Sequence, residues 1–320
     1  MRLLSALALM LMAGTAHAGT LVLYTSQSPE IAQQTVDAFK AKNPGIEVEW
    51  TRNGTSQLMN VLRAEITAGD VKPDVLLVAD TINLGQLKAE GLLMAYPEAK
   101  VDGYDASTYD KDKMFFGTKI MSTGIAYNTQ NAKPVETWAE LLSEDNKGQI
   151  AVPSPLYSGA ALNHMHSVVN VPGIGWEFYE GLAKLGIAPE GGNGPALKAV
   201  AGGMAKYAIV VDADVMRAKA SGSPVDFIFP KDGVSFITEP AAIMSTAKNV
   251  DAAKAFIDFL LSKEGQELVV SQGNLPIDPA MTPPAGFPKL DTIKLLPVDA
   301  DKAVETDAAA RAKFTEIFGG

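Results

Sequence analysis

The segment Ser158-Gly159-Ala160-Ala161 puts a hydroxyl, a glycine and two alanines at the expected start of a helix running through Met165. A helix N-terminus presents unpaired backbone N–H groups at the positive end of its dipole, and such an end attracts anions. Glycine lets the backbone come close to a phosphoryl oxygen. The serine can contact such a group or simply cap the helix. Three carboxylates follow expected strands: Asp80 comes after Asp74-Val75-Leu76-Leu77-Val78, and Asp212 and Asp214 come after Ala208-Ile209-Val210-Val211. Beside an anion loop they suit the cationic end of a zwitterion, because an ammonium in a closed cleft needs charge-assisted hydrogen bonds to offset its desolvation. They suit the hydroxyls of a sugar phosphate almost as well, and each is also an ordinary loop carboxylate or cap. Thr25-Ser26 at the end of the first expected strand, Thr55 at the end of the second, and Asn193 within Gly191-Gly192-Asn193-Gly194-Pro195 are polar groups at turns. Tyr127 and Tyr157 suit either cleft lining or plain packing.

Enzymes need more than this. Beyond the first eighteen residues there is no Cys, no G-x-S-x-G elbow, no G-x-x-x-x-G-K loop and no complete G-x-G-x-x-G. His164 and His166 lie two apart on one expected helix, so they point to different faces and do not form a metal pair. No catalytic residue, metal or cofactor is expected.

The elements that must position these residues alternate. Leu21 to Tyr24 is an apolar strand, Glu30 to Lys42 a helix, Ile46 to Trp50 an alternating strand, and Gln57 to Ala68 a second helix. This order predicts sheets with parallel strands, covered on both faces by helices. Ile120 to Asn128 and Val234 to Ile243 read as extended segments that cross between two lobes. Pro134 to Ser143 reads as a helix, Tyr207 to Val211 and Asp226 to Phe229 as strands of the second lobe, and Val250 to Leu261 and Glu264 to Gln272 as later helices. Residues 19–118 with 237–320 are expected to form the first lobe and 119–236 the second.

Residues 1–18 carry Arg2, the apolar run Leu3 to Met12 and the small-residue triplet Ala16-His17-Ala18, the pattern of a cleaved secretory signal peptide. The apolar run is too short to span a bilayer. Without Arg2 the chain has 26 basic and 37 acidic side chains, a net charge of −11 that repels nucleic acid and anionic membranes. With no cysteine in an exported chain, burial alone must hold the fold.

In this order, Leu21 to Gln27, Lys72-Pro73-Asp74-Val75-Leu76, Thr123-Gly124-Ile125-Ala126-Tyr127-Asn128 and Ala253 to Gln266 resemble the periplasmic binding proteins of ferric iron, phosphonate and hexose-phosphate ABC importers. The resemblance implies the α/β, two-lobed type II (transferrin-like) fold, with mixed sheets and a hinge of extended strands. It also implies a monomer that closes on solute and is read by a permease and its ATPase. Ser158 to Ala161 match the family's anion loop, and Thr25, Ser26 and Gln27 stand where its members contact ligand. Asn193 matches an anion-contacting Asn of ferric-binding relatives. Those relatives carry adjacent tyrosines near Ala213 and Asp214, where this chain reads Val211-Asp212-Ala213-Asp214-Val215-Met216, a departure that argues against ferric iron. Ser154-Pro155-Leu156-Tyr157 leading into that loop is similar to the phosphonate-binding members. The expected solute is 2-aminoethylphosphonate, with its phosphonate on Thr25 and Ser158 to Ala161 and its amine toward Asp80, Asp212 or Asp214. Sugar phosphate or phosphate is the alternative, followed by ferric iron, and then by sulfate or thiamine.

Overall fold

The computed structural model describes residues 19–288, 292–296 and 298–319. The expected signal peptide lies outside them. The chain opens with β1 (Thr20–Thr25), α1 (Pro29–Lys42), β2 (Glu47–Arg52), α2 (Thr55–Ala68), β3 (Val75–Leu77), α3 (Ile82–Ala89), β4 (Leu93–Met94) and β5 (Phe115–Gly117). It continues through β6 (Lys119–Asn128), β7 (Ile150–Ala151), α4 (Gly159–Val168), α5 (Gly175–Lys184), α6 (Asn193–Ala201), β8 (Tyr207–Val211), α7 (Asp212–Ala220), β9 (Val225–Ile228) and β10 (Ser235–Ile237). The last part comprises β11 (Pro240–Met244), α8 (Val250–Leu261), α9 (Lys263–Ser271), β12 (Leu275–Pro276) and α10 (Ala300–Phe318).

Two sheets result. The first runs β2-β1-β3-β11-β4 with β5 also on β11, and the second runs β10-β6-β8-β7 with β9 and β12 also on β6. β1 is parallel to β2 and β3, while β11 enters antiparallel to β3, so the first sheet is mixed. The two-lobed α/β architecture expected from the sequence is the one observed. The chain changes sheet between β5 and β6 at Thr118, and again between β10 and β11 at Thr238 and Glu239. There the backbone N–H groups of Thr118 and Lys119 both donate to the Thr238 carbonyl.

Local chemistry sets the helix starts. Ser28 caps α1 ahead of Pro29, which supplies a fixed φ and lacks an N–H that would have no partner there. Asn249 caps α8, and Ser262 caps α9. The helix expected over Pro134 to Ser143 is only a 3₁₀ turn, Ala139–Leu142. Trp138 draws the chain out of helical register: its backbone N–H donates to Asp232, and its indole N–H donates 2.8 Å to the Gly233 carbonyl in the core.

Each lobe buries its own aromatic centre. In the first, Phe39 of α1 meets Phe256 of α8 edge to face at 5.0 Å and Phe259 at 5.7 Å. In the second, Trp138 and Phe178 pack beside Tyr179, and Tyr179 in turn meets Phe314 of α10 at 5.5 Å. Helix α10 touches α3 as well as α4 and α5, and so reaches both lobes.

Phe256 is fully buried between α1 and the first sheet. Replacing it with Ala is expected to cost about 3–5 kcal/mol, seen as a lowered urea midpoint for the unfolding of the first lobe.

Candidate functional site

A cleft of about 660 Å³ opens between the two sheets. Five helices begin on it: α1 at Ser28 and Pro29, α2 at Gly54 and Thr55, α4 at Ser158 to Ala160, α6 at Gly192 to Pro195, and α7 at Val211 and Asp214. Each follows a strand or a turn whose end faces the same space, which is where loops of such sheets gather ligand groups. Five positive helix ends make this cleft suited to an anion, those of α1 and α7 being partly offset by the acids Glu30, Asp212 and Asp214 in their first turns. Four cationic side chains line it, Arg52, Lys119, Lys198 and Arg217, against the three acids Glu30, Asp214 and Glu239. The cleft is therefore cationic by one within a chain of net charge −10.

The loop at α4 is shaped by its own cap. Ser158 Oγ accepts from the Ala161 N–H at 3.3 Å and from the Asn193 amide at 3.5 Å. Asn193 Oδ1 accepts from the Val211 N–H at 3.2 Å, so one side chain ties the starts of α4 and α6 to the end of β8. The Gly159 and Ala160 N–H groups stand at the cleft wall in the first turn of α4, where the helix itself offers no carbonyl to accept them.

The lobes meet at one rim. Ser56 donates its N–H to the Tyr157 carbonyl at 3.2 Å and its hydroxyl to the Pro155 carbonyl at 3.1 Å. Two glycines make this approach possible. A Cβ at Gly54 would lie 2.4 Å from the Tyr157 carbonyl oxygen, and one at Gly159 would lie 2.6 Å from both Asp80 Oδ2 and Thr55 Oγ1.

Of the residues singled out from the sequence, Ser26, Gln27, Thr55, Tyr157, Ser158, Gly159, Ala160, Asn193 and Asp214 line this cleft. Thr25, Asp80, Ala161 and Asp212 stand behind its wall. Thr25 Oγ1 accepts from the Gln27 N–H. Asp80 is fully buried and accepts from the Asn83 N–H at 2.7 Å and the Asn83 amide at 2.9 Å; burial pushes its carboxyl up despite those donors. Asp212, also fully buried, accepts from the Ser122 hydroxyl and N–H and from the Ala213 N–H. Desolvation pushes its carboxyl up to about 6. Asp214 lines the cleft but is paired with Arg217, whose Nη1 also donates to the Gln272 carbonyl. Tyr127 lies in β6 opposite Tyr207, away from the cleft lining. Sequence reading missed Arg52, Lys119, Arg217 and Glu239, because isolated charged residues far apart in the chain carry no local signal of a shared site.

His164 and His166 do face different ways. His164 Nδ1 meets Ser235 Oγ at 3.0 Å in the second lobe, and burial lowers its pKa to about 3. His166 Nε2 meets Asp307 of α10 at 3.1 Å.

The fold and its cleft between lobes define a two-lobed binding protein. The family model for bacterial extracellular solute-binding proteins matches residues 25–267, and the chain belongs to that family. The chain is 25% identical to the major ferric iron-binding protein of Neisseria gonorrhoeae, over 95% of each chain. It is also 25% identical to a probable ABC transporter periplasmic-binding protein of Sinorhizobium fredii, over 89% of this chain and 83% of that one. The solved structure of the periplasmic binding protein AfuA from Actinobacillus pleuropneumoniae, with fructose-6-phosphate bound, superposes with a TM-score of 0.86 at 22% identity. The match covers 94% of this chain and 98% of that one.

Replacing Gly54 with Ala is expected to hold the lobes apart, since the Tyr157 carbonyl is backbone and cannot rotate away. In small-angle scattering the variant should show a larger radius of gyration than the parent protein. A second expectation concerns pH. With its carboxyl raised to about 6, folded Asp212 keeps a proton between about pH 4 and 6 that the unfolded chain releases, so its contribution to stability falls as pH rises through that window. Buried His164 runs the other way, adding stability as pH rises through about 3 to 6.5. The difference between the parent protein and Asp212→Asn isolates the aspartate: the parent should lose about 1–3 kcal/mol relative to the variant between pH 4 and 7, read from urea unfolding at a series of pH values.

Proposed function

We propose that the chain is the periplasmic solute-binding component of an ABC importer and that its solute is a small organic phosphonate, 2-aminoethylphosphonate being the first candidate. The observation that carries this reading is the meeting of five helix N-termini on one cleft of locally positive charge. A doubly charged tetrahedral group suits that cleft better than a neutral solute does, because backbone N–H groups and dipoles stabilise it without any side chain having to reorganise. Its phosphonate is placed at Ser158, Gly159 and Ala160, with Ser26 and Thr55 facing it from the other lobe. The solute bridges both walls, so binding favours the closed arrangement in which Ser56 meets Tyr157, and this differential affinity drives closure. The closed form is what the permease and its ATPase recognise. The likeness to the Sinorhizobium fredii protein supports the transport half of this reading.

A sugar phosphate is the second reading. The cleft, at about 660 Å³, is of the size that encloses a drug-sized ligand and is larger than a two-carbon aminophosphonate fills. Ferric iron fits less well: Tyr157 is the only tyrosine lining the cleft among the described residues, and one phenolate with paired carboxylates is a poor Fe³⁺ donor set.

Isothermal titration of protein unfolded and refolded to strip any carried-over ligand, against 2-aminoethylphosphonate, glucose 6-phosphate, inorganic phosphate and ferric citrate, decides among these. Tight binding of the aminophosphonate alone is expected. Heat from glucose 6-phosphate alone would replace the phosphonate by a sugar phosphate, and silence from every phosphorus compound would overturn the anion reading.

A further inference from the structure

At the floor of the cleft, between its two walls, stands a group of side chains that the anion loop does not use. Lys119 opens β6 and Glu239 immediately precedes β11; both are about 3% exposed and both line the cleft. Their ion pair spans 2.6 Å from Lys119 Nζ to Glu239 Oε2. Gln27, after β1, donates its amide Nε2 to the same Glu239 oxygen at 2.9 Å. That bond fixes which way the amide faces, and it leaves Gln27 Oε1 buried with no hydrogen-bond partner in a residue 7% exposed that also lines the cleft. A buried acceptor left unpaired costs free energy that a ligand donor would recover. Glu239 also has a φ of +39°, in a region that side-chain-bearing residues avoid, and the Thr118 hydroxyl holds it there by donating 2.8 Å to its carbonyl. Strain of this kind persists where a side chain has to be aimed.

We propose that Gln27, with Glu239 and Lys119 behind it, is the specificity-determining group for the end of the solute opposite its anionic group, and that it selects a solute carrying a hydrogen-bond donor there. The proposal rests on the reading of the solute as a phosphonate or phosphate ester. Lys119 neutralises Glu239, so the floor presents no net charge. It rewards a donor whether that donor is an ammonium or a hydroxyl, and gives nothing to an alkyl end, which leaves Gln27 Oε1 without a partner. The helix ends hold the anion and the floor reads the other pole, which divides affinity from selectivity between two parts of one cleft.

The test uses three compounds of one size: 2-aminoethylphosphonate, 2-hydroxyethylphosphonate and ethylphosphonate. Each is titrated calorimetrically into the mature protein and into Gln27→Met, with thermal unfolding of both proteins as a check on folding. The parent protein is expected to bind at least one donor-bearing compound roughly tenfold or more tightly than ethylphosphonate. Gln27→Met should shrink that ratio to about threefold or less, and the compound that loses more identifies the donor as amine or hydroxyl. Equal binding of all three by the parent protein overturns the role of the floor and leaves anion capture standing, and this comparison holds even where the variant does not fold. A ratio that survives in Gln27→Met overturns it too. No binding of any of the three, or of inorganic phosphate, overturns the phosphonate reading and the inference with it.

Discussion

The arrangement everything else depends on is the double crossing between sheets. Two strands leave one sheet and enter the other within a residue or two, side by side, and the backbone N–H groups of Thr118 and Lys119 share the Thr238 carbonyl at that point. The crossing residues outside the sheet ladders still have peptide groups to satisfy, and the other crossing segment and side chains do it. Gln266 of α9 donates to the Thr118 carbonyl at 2.8 Å while its own oxygen accepts from the Ile277 N–H at 2.9 Å. The Lys119 and Glu239 pair sits on the same few residues. Taking two charges out of water is expensive, and such a pair repays it only with good geometry and further hydrogen bonds, here the Gln27 amide. The crossing thereby fixes the floor of the cleft.

A second tie joins the lobes at the far edge. Asp307 of α10 accepts from Gln86 of α3 at 3.1 Å and from Arg311 at 2.9 Å, and it meets His166 of α4. Arg311 in turn donates 3.3 Å to both Ser56 Oγ and the Pro155 carbonyl, the two groups that meet at the closed rim. The last helix is thus more than a cover for the second lobe's aromatic centre. Its polar face connects the α4 wall of one lobe to the opposing wall of the other.

The carboxylates show how burial changes a residue's part. Asp80 lies between β3 and α3, and Asp212 opens α7 directly after β8, positions at which a ligand group is expected, yet each turns inward and satisfies donors of its own lobe. Asp80 still shapes the cleft, since its Oδ2 lies where a side chain on residue 159 would have to go. It makes glycine the residue that fits there, and glycine is what lets the backbone of α4 face the cleft directly.

Much of this was legible in the chain. The alternation of apolar runs and amphipathic segments dictates an α/β fold of two lobes, because strands apolar on both faces must be covered by helices and because some 300 residues exceed one core. Ser158 followed by glycine could be read as a helix start from local chemistry alone, since capping depends on residues three positions apart; Asn193 within its glycine cluster read only as a polar group at a turn, and it opens α6. Other features were not legible, because they depend on residues distant in sequence. Gln27, Lys119 and Glu239 come together only once β1, β6 and β11 are in place. Trp138 abandons the helix its neighbours favour in order to bury its ring and donate to Gly233. The sequence determined the kind of fold and the start of α4 at Ser158, since period and capping are local. The tertiary structure alone decided which carboxylates reach the cleft and which charges neutralise one another at its floor, since burial and pairing are settled by packing between distant segments.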